Sequence, residues 1–307
     1  MNEGKISPDS DPTDAVVGII GGSGLYESGL FRSTTVHKLS TPWGSPSGFI
    51  EEGRLGNLKV FFLPRHGKGH TIPAHKVNYR ANIDALKRAG VTDLLSVSAV
   101  GSLREDLAPG TFVIVDQFID RTVARTRSFF GTGCVAHVSM AHPVCARLGD
   151  RLQQAARDAE IPVVRGGTYL VMEGPQFSSL AESRLYRSWG ADVIGMTNLP
   201  EARLAREAEL CYATMAMVTD YDSWHPQHGD VSVEEILQTI TQNTERMRTL
   251  MTHAIPAVGA DASASACTCR RALEHAILTA PEARDPELLA RLDAVAGRIL
   301  LKSQEEK

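Results

Sequence analysis

The chain has 307 residues, 43% hydrophobic and 22% charged, and its 32 basic against 36 acidic side chains leave a formal net charge of -4. This composition excludes an intrinsically disordered chain, gives no general attraction for nucleic acid, and supplies enough apolar surface for a core without disulfide staples. A small-molecule ligand is the class it favours, and 26 glycines offer material for ligand-holding loops.

Residues 1–14 are polar, acidic and proline-containing, and are read as a flexible tail with neither the apolar stretch of a signal peptide nor the arginines of a transit peptide. The apolar run at 15–20 (AVVGII) is far shorter than the ~20 residues of a membrane helix, so no membrane partner is expected. Short continuous apolar runs at 16–20, 60–63, 94–97, 111–115, 168–171, 193–194 and 214–218 predict buried strands. Helices are predicted between them over 74–89, 143–159, 177–189 and 200–209, the last opened by Pro200, which a first helical turn tolerates. A longer helix over 233–253 follows, with Glu234 and Glu235 suited to its N-terminus. Residues 257–266 read as a linker, and 270–278 and 286–301 as terminal helices that pack on a neighbouring subunit. The expectation is one α/β domain over 15–255, its sheet largely buried, with a linker and C-terminal helical arm over 256–307.

The five cysteines, Cys134, Cys145, Cys211, Cys267 and Cys269, are odd in number and lack CxxC spacing, which argues against a zinc ribbon or a secreted disulfide framework and for a cytoplasmic enzyme. Cys267 and Cys269 are either two reduced thiols or a strained disulfide.

Six strand ends carry polar or glycine-rich segments. Gly21-Gly22-Ser23-Gly24 fails the dinucleotide-binding pattern at Glu27, and no Walker A sequence occurs, which leaves either a small-anion site or a tight turn. In the loop 64–70 (PRHGKGH), Arg65 offers a bidentate fork and His66 a second donor for phosphate or carboxylate. His66 and His70 suit a metal only on a helix, which Gly67 and Gly69 oppose, so no metal is expected. The remaining ends are 98–102 with Ser98 and Ala99, 172–179 with Phe177, 195–197, and 219–222 with Asp220 and Asp222. One crevice beyond the strand ends collects all six.

Taken together, GIIGGSG, RHGKGHTIP, NYRAN, SAVGSLRE, DQFIDRT, EGPQFSS, GMTNLPEARLAREAEL and ATMAMVTDYDSW resemble the trimeric nucleoside phosphorylases, closest to the methylthioadenosine phosphorylase branch, in unbroken order over about 16–250. The resemblance implies a single α/β domain with a central mixed β-sheet flanked by helices. It also implies phosphorolysis, in which phosphate attacks the anomeric carbon of a nucleoside while the purine leaves, with no cofactor and no metal. By resemblance, phosphate is bound by Ser23, Arg65, His66, Ser98, Ala99 and Thr197, ribose by Met196, and purine by Phe177, Asp220 and Asp222. Ser23 stands where threonine is usual. Asp220 is the catalytic candidate, donating to the purine N7, and burial beside Asp222 favours its protonated form; read alone, both are solvated turn carboxylates. Relatives acting on 6-oxopurines have glutamate at the position of Ser178 and asparagine at that of Asp220, so a 6-aminopurine is expected, with a broader nucleoside specificity as the alternative. Val231, Val233 and Leu237 either line a 5'-methylthio pocket with His137 or form the buried face of their helix. His137 and the arm approach a neighbour's site in such relatives, implying a homotrimer, with a dimer of trimers as the other assembly. Gln176 departs from the usual arginine and bears on assembly.

Overall fold

The computed structural model describes residues 15–22, 30, 32–56, 58–226, 231–261 and 263–305. The expected tail at 1–14 and Ser23 lie outside the described residues. Eleven strands among them form one mixed sheet: β1 (Val17–Gly21), β2 (Arg32–His37), β3 (Ile50–Leu55), β4 (Leu58–Pro64), β5 (Asp93–Ser102), β6 (Phe112–Ile114), β7 (Gln117–Arg121), β8 (Val163–Arg165), β9 (Thr168–Met172), β10 (Val193–Gly195) and β11 (Cys211–Asp220). All seven apolar runs overlap strands, those at 16–20 and 111–115 reaching one residue beyond them. The polar strands β2, β3, β7 and β8 were not predicted, because β3, β7 and β8 are mostly half-buried and carry no continuous apolar run.

Alternate residues of the central strands feed two cores. Ile20, Phe61, Leu63 and Leu94 pack on one face, while Val17, Ile19, Val60, Phe62 and Leu95 pack on the other. The first face is covered by α1 (Tyr79–Arg88), through Ile83 and Leu86, with further helices described below; the second is covered by α2 (Ala146–Asp158), through Leu148 and Leu152. Helix α3 (Leu180–Ser188) starts at a capping box in which Ser179 and Glu182 satisfy each other's backbone N–H groups. Helix α4 (Asn198–Glu207) completes the first layer through Ala202 and Leu204.

Helix α5 (Val233–Gly259) runs past the predicted end into the stretch read as linker, because Leu250, Met251, Ala254, Ile255 and Val258 continue one fully buried stripe on the second core. The helix predicted over 270–278 is absent: a 3-10 turn over Thr268–Arg271 gives way to turns. There the backbone is held by tertiary partners instead, Leu273 N donating to Glu209 Oε1 at 3.0 Å and Ile277 bridging Ala136. The last helical stretch divides into α6 (Pro286–Arg291) and α7 (Asp293–Glu305).

The arm was expected to pack on a neighbour, yet Leu273, Leu292, Val295 and Ala296 are at most 1% exposed and belong to the core of their own chain. Leu273→Ala is therefore expected to cost about 2–5 kcal/mol, read as a lowered urea midpoint; a loss below about 1 kcal/mol would place the arm outside the cooperative core.

Candidate active site

Strand β5 is where the sheet forks. Its first half pairs in parallel with β1 as far as Ile20↔Ser96, whereas its end pairs antiparallel with β10 at Ile194↔Gly101 and Val193↔Ser102. Over 97–100 that edge has no strand partner among the described residues, while the other edge stays zipped to β11. A crevice at such a divergence is where open α/β sheets bind ligands. Ala99 is the one exposed residue of the strand, which is otherwise buried except at half-buried Gly101.

The fork leaves interior carbonyls without ladder partners, and Arg65, at the end of β4, fills that gap. Its guanidinium is 1% exposed and donates to Ile20 O at 3.2 Å, Val97 O at 3.0 Å and Ser96 Oγ at 2.7 Å. Glu201 of α4, fully buried, neutralises it with contacts of 2.7 Å to Nε and 3.1 Å to Nη2. Glu201 also accepts from Ser96 Oγ at 2.8 Å and Tyr212 OH at 2.9 Å. The fork of Arg65 is thus turned into the protein rather than held open for an anion, which corrects the sequence expectation: the charge is paired and the donors brace the strands.

Beside it, Ser98 Oγ and Thr197 Oγ1 meet at 3.1 Å, and Ser98 Oγ lies 3.1 Å from Tyr169 OH. Both hydroxyls are nearly buried at the mouth of the fork. His66 is held by a 2.9 Å bond between Nδ1 and Ile72 O, and its ring stacks on His70 at 4.2 Å. Burial, reinforced by the neighbouring Arg65 charge, pushes His66 down to about 4. The neutral ring donates through Nδ1, so Nε2 is an acceptor, and the expected second donor exists only when an anion recruits a proton to it.

Asp220 owes its direction to a β-bulge. The β11–β5 register slips between Val218 and Asp220, and the extra residue, Thr219, donates to Val100 O at 3.2 Å and to Asp220 Oδ2 at 2.7 Å. The carboxylate lies against Gly101, where an added Cβ would come within 2.9 Å of Asp220 Oδ1. Gly101 stands two residues beyond Ala99, a separation of about 7 Å along a strand, comparable to the span of a ribose. Burial pushes Asp220 up to about 6, with the Asp222 and Glu235 charges adding to it and the Thr219 hydroxyl opposing. Asp222 is 4% exposed and raised by burial, and its Oδ2 is buried without a hydrogen-bond partner among the described residues. It is a buried neighbour of Asp220, and its carboxyl adds to the rise of Asp220.

Two loops wall the crevice, and one residue absent from the sequence reading fixes both. Arg125 donates to Met196 O at 2.6 Å and Leu199 O at 2.7 Å through Nη1, and to Glu173 O at 2.7 Å through Nη2. Met196 packs so closely on Gly174, which has φ +71°, that a Cβ there would meet its sulfur at 2.5 Å. Phe177 is 40% exposed, and Ser178 is buried with its hydroxyl near Met172 Sδ.

Val231 is half-buried before α5, whereas Val233 and Leu237 are 61% and 54% exposed and line a shallow depression of about 580 Å³. The buried-face reading of these residues is therefore set aside. The proximity of Glu235 to Asp220 brings the start of α5 to the site. His137 is exposed, and its backbone N–H donates to Ala276 O of the arm at 2.8 Å; no described contact joins it to the other candidate residues within the chain.

Residues 16–256 match the model of the phosphorylase superfamily, and the chain belongs to that family. A relative from Cereibacter sphaeroides named S-methyl-5'-thioadenosine phosphorylase is 60% identical over 285 residues, covering 93% of this chain and 98% of the relative. A methylthioadenosine phosphorylase structure sourced from an antarctic soil metagenomic library is 45% identical with a TM-score of 0.85, covering 92% of this chain and 99% of that one. A variant of the adenosine/methylthioadenosine phosphorylase from Schistosoma mansoni, solved with methylthioadenosine, is 38% identical with a TM-score of 0.79, covering 84% and 98%.

Glu201→Gln leaves the Arg65 charge buried and uncompensated, and is expected to cost about 3–5 kcal/mol, measured by chemical denaturation. A change below about 1 kcal/mol would show that the pair does not brace the fork.

Proposed function

We propose that the chain catalyses the phosphorolysis of 5'-methylthioadenosine to adenine and 5-methylthioribose 1-phosphate. One observation carries this reading: a half-buried carboxyl, Asp220, raised to about 6, rests on Gly101 of the same strand whose open stretch carries Ser98, three residues earlier, hydrogen-bonded to the Thr197 hydroxyl. A phosphate oxygen attacks C1' as the C1'–N9 bond breaks, and the bonding pair passes into the purine. Asp220 in its acid form donates its proton toward N7, so the base leaves neutral. A purine lying over Asp220 excludes more water and raises its pKa further.

In this reading phosphate sits on Ser98, Thr197 and the Ala99 backbone, with His66 at its side and Arg65 beneath; Ser23 is a further donor on the sequence argument alone. His66 Nε2 either takes a proton from phosphate or shares one with it. Met196 floors the ribose, and Phe177 covers the base. Asp220 and Ser178 suit the 6-amino group, which a carboxylate accepts from. No cofactor is needed, since phosphate is the co-substrate.

The 5'-methylthio group is placed against Val231, Val233 and Leu237, a surface left open within one chain. A homotrimer supports closure of that pocket by a neighbour, with His137 on the closing side. Exposed apolar side chains at Val123, Leu180, Leu185 and Trp189 support such an assembly, which light scattering of the purified protein tests. The activity is placed in the cytoplasm, where clustered thiols stay reduced.

The test follows base release from methylthioadenosine, adenosine and inosine with and without phosphate. Release is expected only with phosphate, in that order of preference; equal release without phosphate would make the enzyme a hydrolase. Asp220→Asn is expected to lose about two to four orders of magnitude on the 6-amino substrates. At saturating phosphate, kcat/KM for the nucleoside is expected to fall as pH rises through about 6, because the acid form of Asp220 is lost, and Asp220→Asn is expected to lack that limb. Near-normal turnover of the variant would remove Asp220 from the acid role.

A further inference from the structure

Four of the five cysteines converge away from the crevice. Cys145 stands at the N-cap of α2, Cys211 opens β11, and Cys267 and Cys269 flank the start of the 3-10 turn in the arm. Their four sulfurs all lie within 4.8 Å of one another, and the Cys145 and Cys267 sulfurs are 3.6 Å apart. A disulfide requires about 2.05 Å. A tetrahedral zinc tetrathiolate, with Zn–S of about 2.3 Å, has sulfur–sulfur edges of about 3.8 Å. The spacing found here matches the second arrangement. Cys145, Cys211 and Cys269 are buried and Cys267 is half-buried, so the cluster is shielded from water as structural metal sites are.

The surroundings fit an anionic centre. A divalent ion bound by four thiolates carries a net charge of about -2, and two guanidiniums reach the sulfurs from outside. Arg206 Nη1 donates to Cys269 Sγ at 3.5 Å, and Arg147, salt-bridged to Asp93 and Asp261, is within hydrogen-bonding reach of Cys211. Donors aimed at ligating sulfurs stabilise thiolates and fix their orientation.

We propose that Cys145, Cys211, Cys267 and Cys269 form a structural binding site for one thiophilic divalent cation, zinc being the best match, which fastens the C-terminal arm to the core. Binding replaces the four thiol protons with one ion, and the protons pass to solvent; no oxidation is involved. The all-sulfur, closed donor set selects zinc over magnesium or calcium and leaves no open position for catalysis. A few residues beyond the site, Ala276 and Ile277 bond to the segment carrying Ala136 and His137, so the fastened arm also holds the loop that the proposed trimer presents to a neighbour.

The test measures metal in the full-length protein, purified without chelator under reducing conditions from zinc-supplemented cells. One zinc per chain is expected, falling to background in the Cys267→Ser/Cys269→Ser double variant. Cys134→Ser, a buried cysteine outside the cluster, is the control for a general thiol effect and is expected to keep its zinc. Replacing zinc with cobalt is expected to give the intense visible absorption of a tetrahedral tetrathiolate, absent from the double variant. Circular dichroism separates loss of metal from loss of fold: the double variant is expected to keep the α/β spectrum. Metal-free wild type with all five thiols titratable, two disulfides found by mass spectrometry, or a double variant that keeps its zinc would each overturn the proposal.

Discussion

The pairing of Arg65 with Glu201 is the constraint on which the rest of the site depends. A sheet that changes partners along one strand needs its carbonyls satisfied from elsewhere: Ile20 O, at the last β1–β5 pair, and Val97 O, just beyond it, both accept from Arg65. An apolar residue there would leave both acceptors unsatisfied at a cost of about 1–3 kcal/mol each. Arginine is the side chain with enough diverging donors to reach both carbonyls and a serine at once. Its charge then requires a counter-ion, and α4 supplies Glu201, which in turn draws in Ser96 and Tyr212. The loop carrying Thr197 precedes α4, so the same pair that closes the fork sets the distance between Ser98 and Thr197.

The second half of the crevice is built by irregularity. Without the extra residue at Thr219, strand alternation would turn Asp220 to the opposite face of the sheet. With it, the carboxylate rests on Gly101, close to Asp222 and largely out of water, which is the environment that raises a carboxylic acid to about 6. Arg125 does for the two walls what Arg65 does for the fork, collecting the carbonyls of Glu173, Met196 and Leu199 at one buried guanidinium. The segments carrying Met196 and Phe177 are thereby tied together, and the proposed reaction takes place on a surface whose parts are mechanically coupled.

The strands of the central sheet were legible because burial on both faces writes a continuous apolar run, and the ligand-facing strand ends were legible as glycine and hydroxyl residues directly after those runs. Strand β2 at the sheet edge and β3 beside it carry no continuous apolar run and so gave no strand signal, and 270–278 read as helix because the tertiary hydrogen bonds that hold it in turns leave no periodic trace. Glu201 and Arg125 were hidden for a different reason: a charged residue in a sequence looks like surface, and only the fold reveals that it is buried and paired. Arg65 was noticed, but its open fork was inferred from residue type, which cannot tell a donor facing ligand from one facing carbonyls. The four cysteines lie up to 124 positions apart, from Cys145 to Cys269, and no spacing rule connects them. Ser23 lies outside the described residues and keeps only its sequence argument.

The account's central claim is that the fork in β5 is the anion site. The most direct measurement is a crystal structure of the protein with phosphate and a non-cleavable methylthioadenosine analogue bound. The account predicts phosphate within hydrogen-bonding distance of Ser98 Oγ and Thr197 Oγ1 and beside the Ala99 backbone, with the purine N7 facing Asp220. Phosphate bound instead among the arginines of the surface depression formed by Arg104 and Arg187, with the fork occupied by neither ligand, would contradict it.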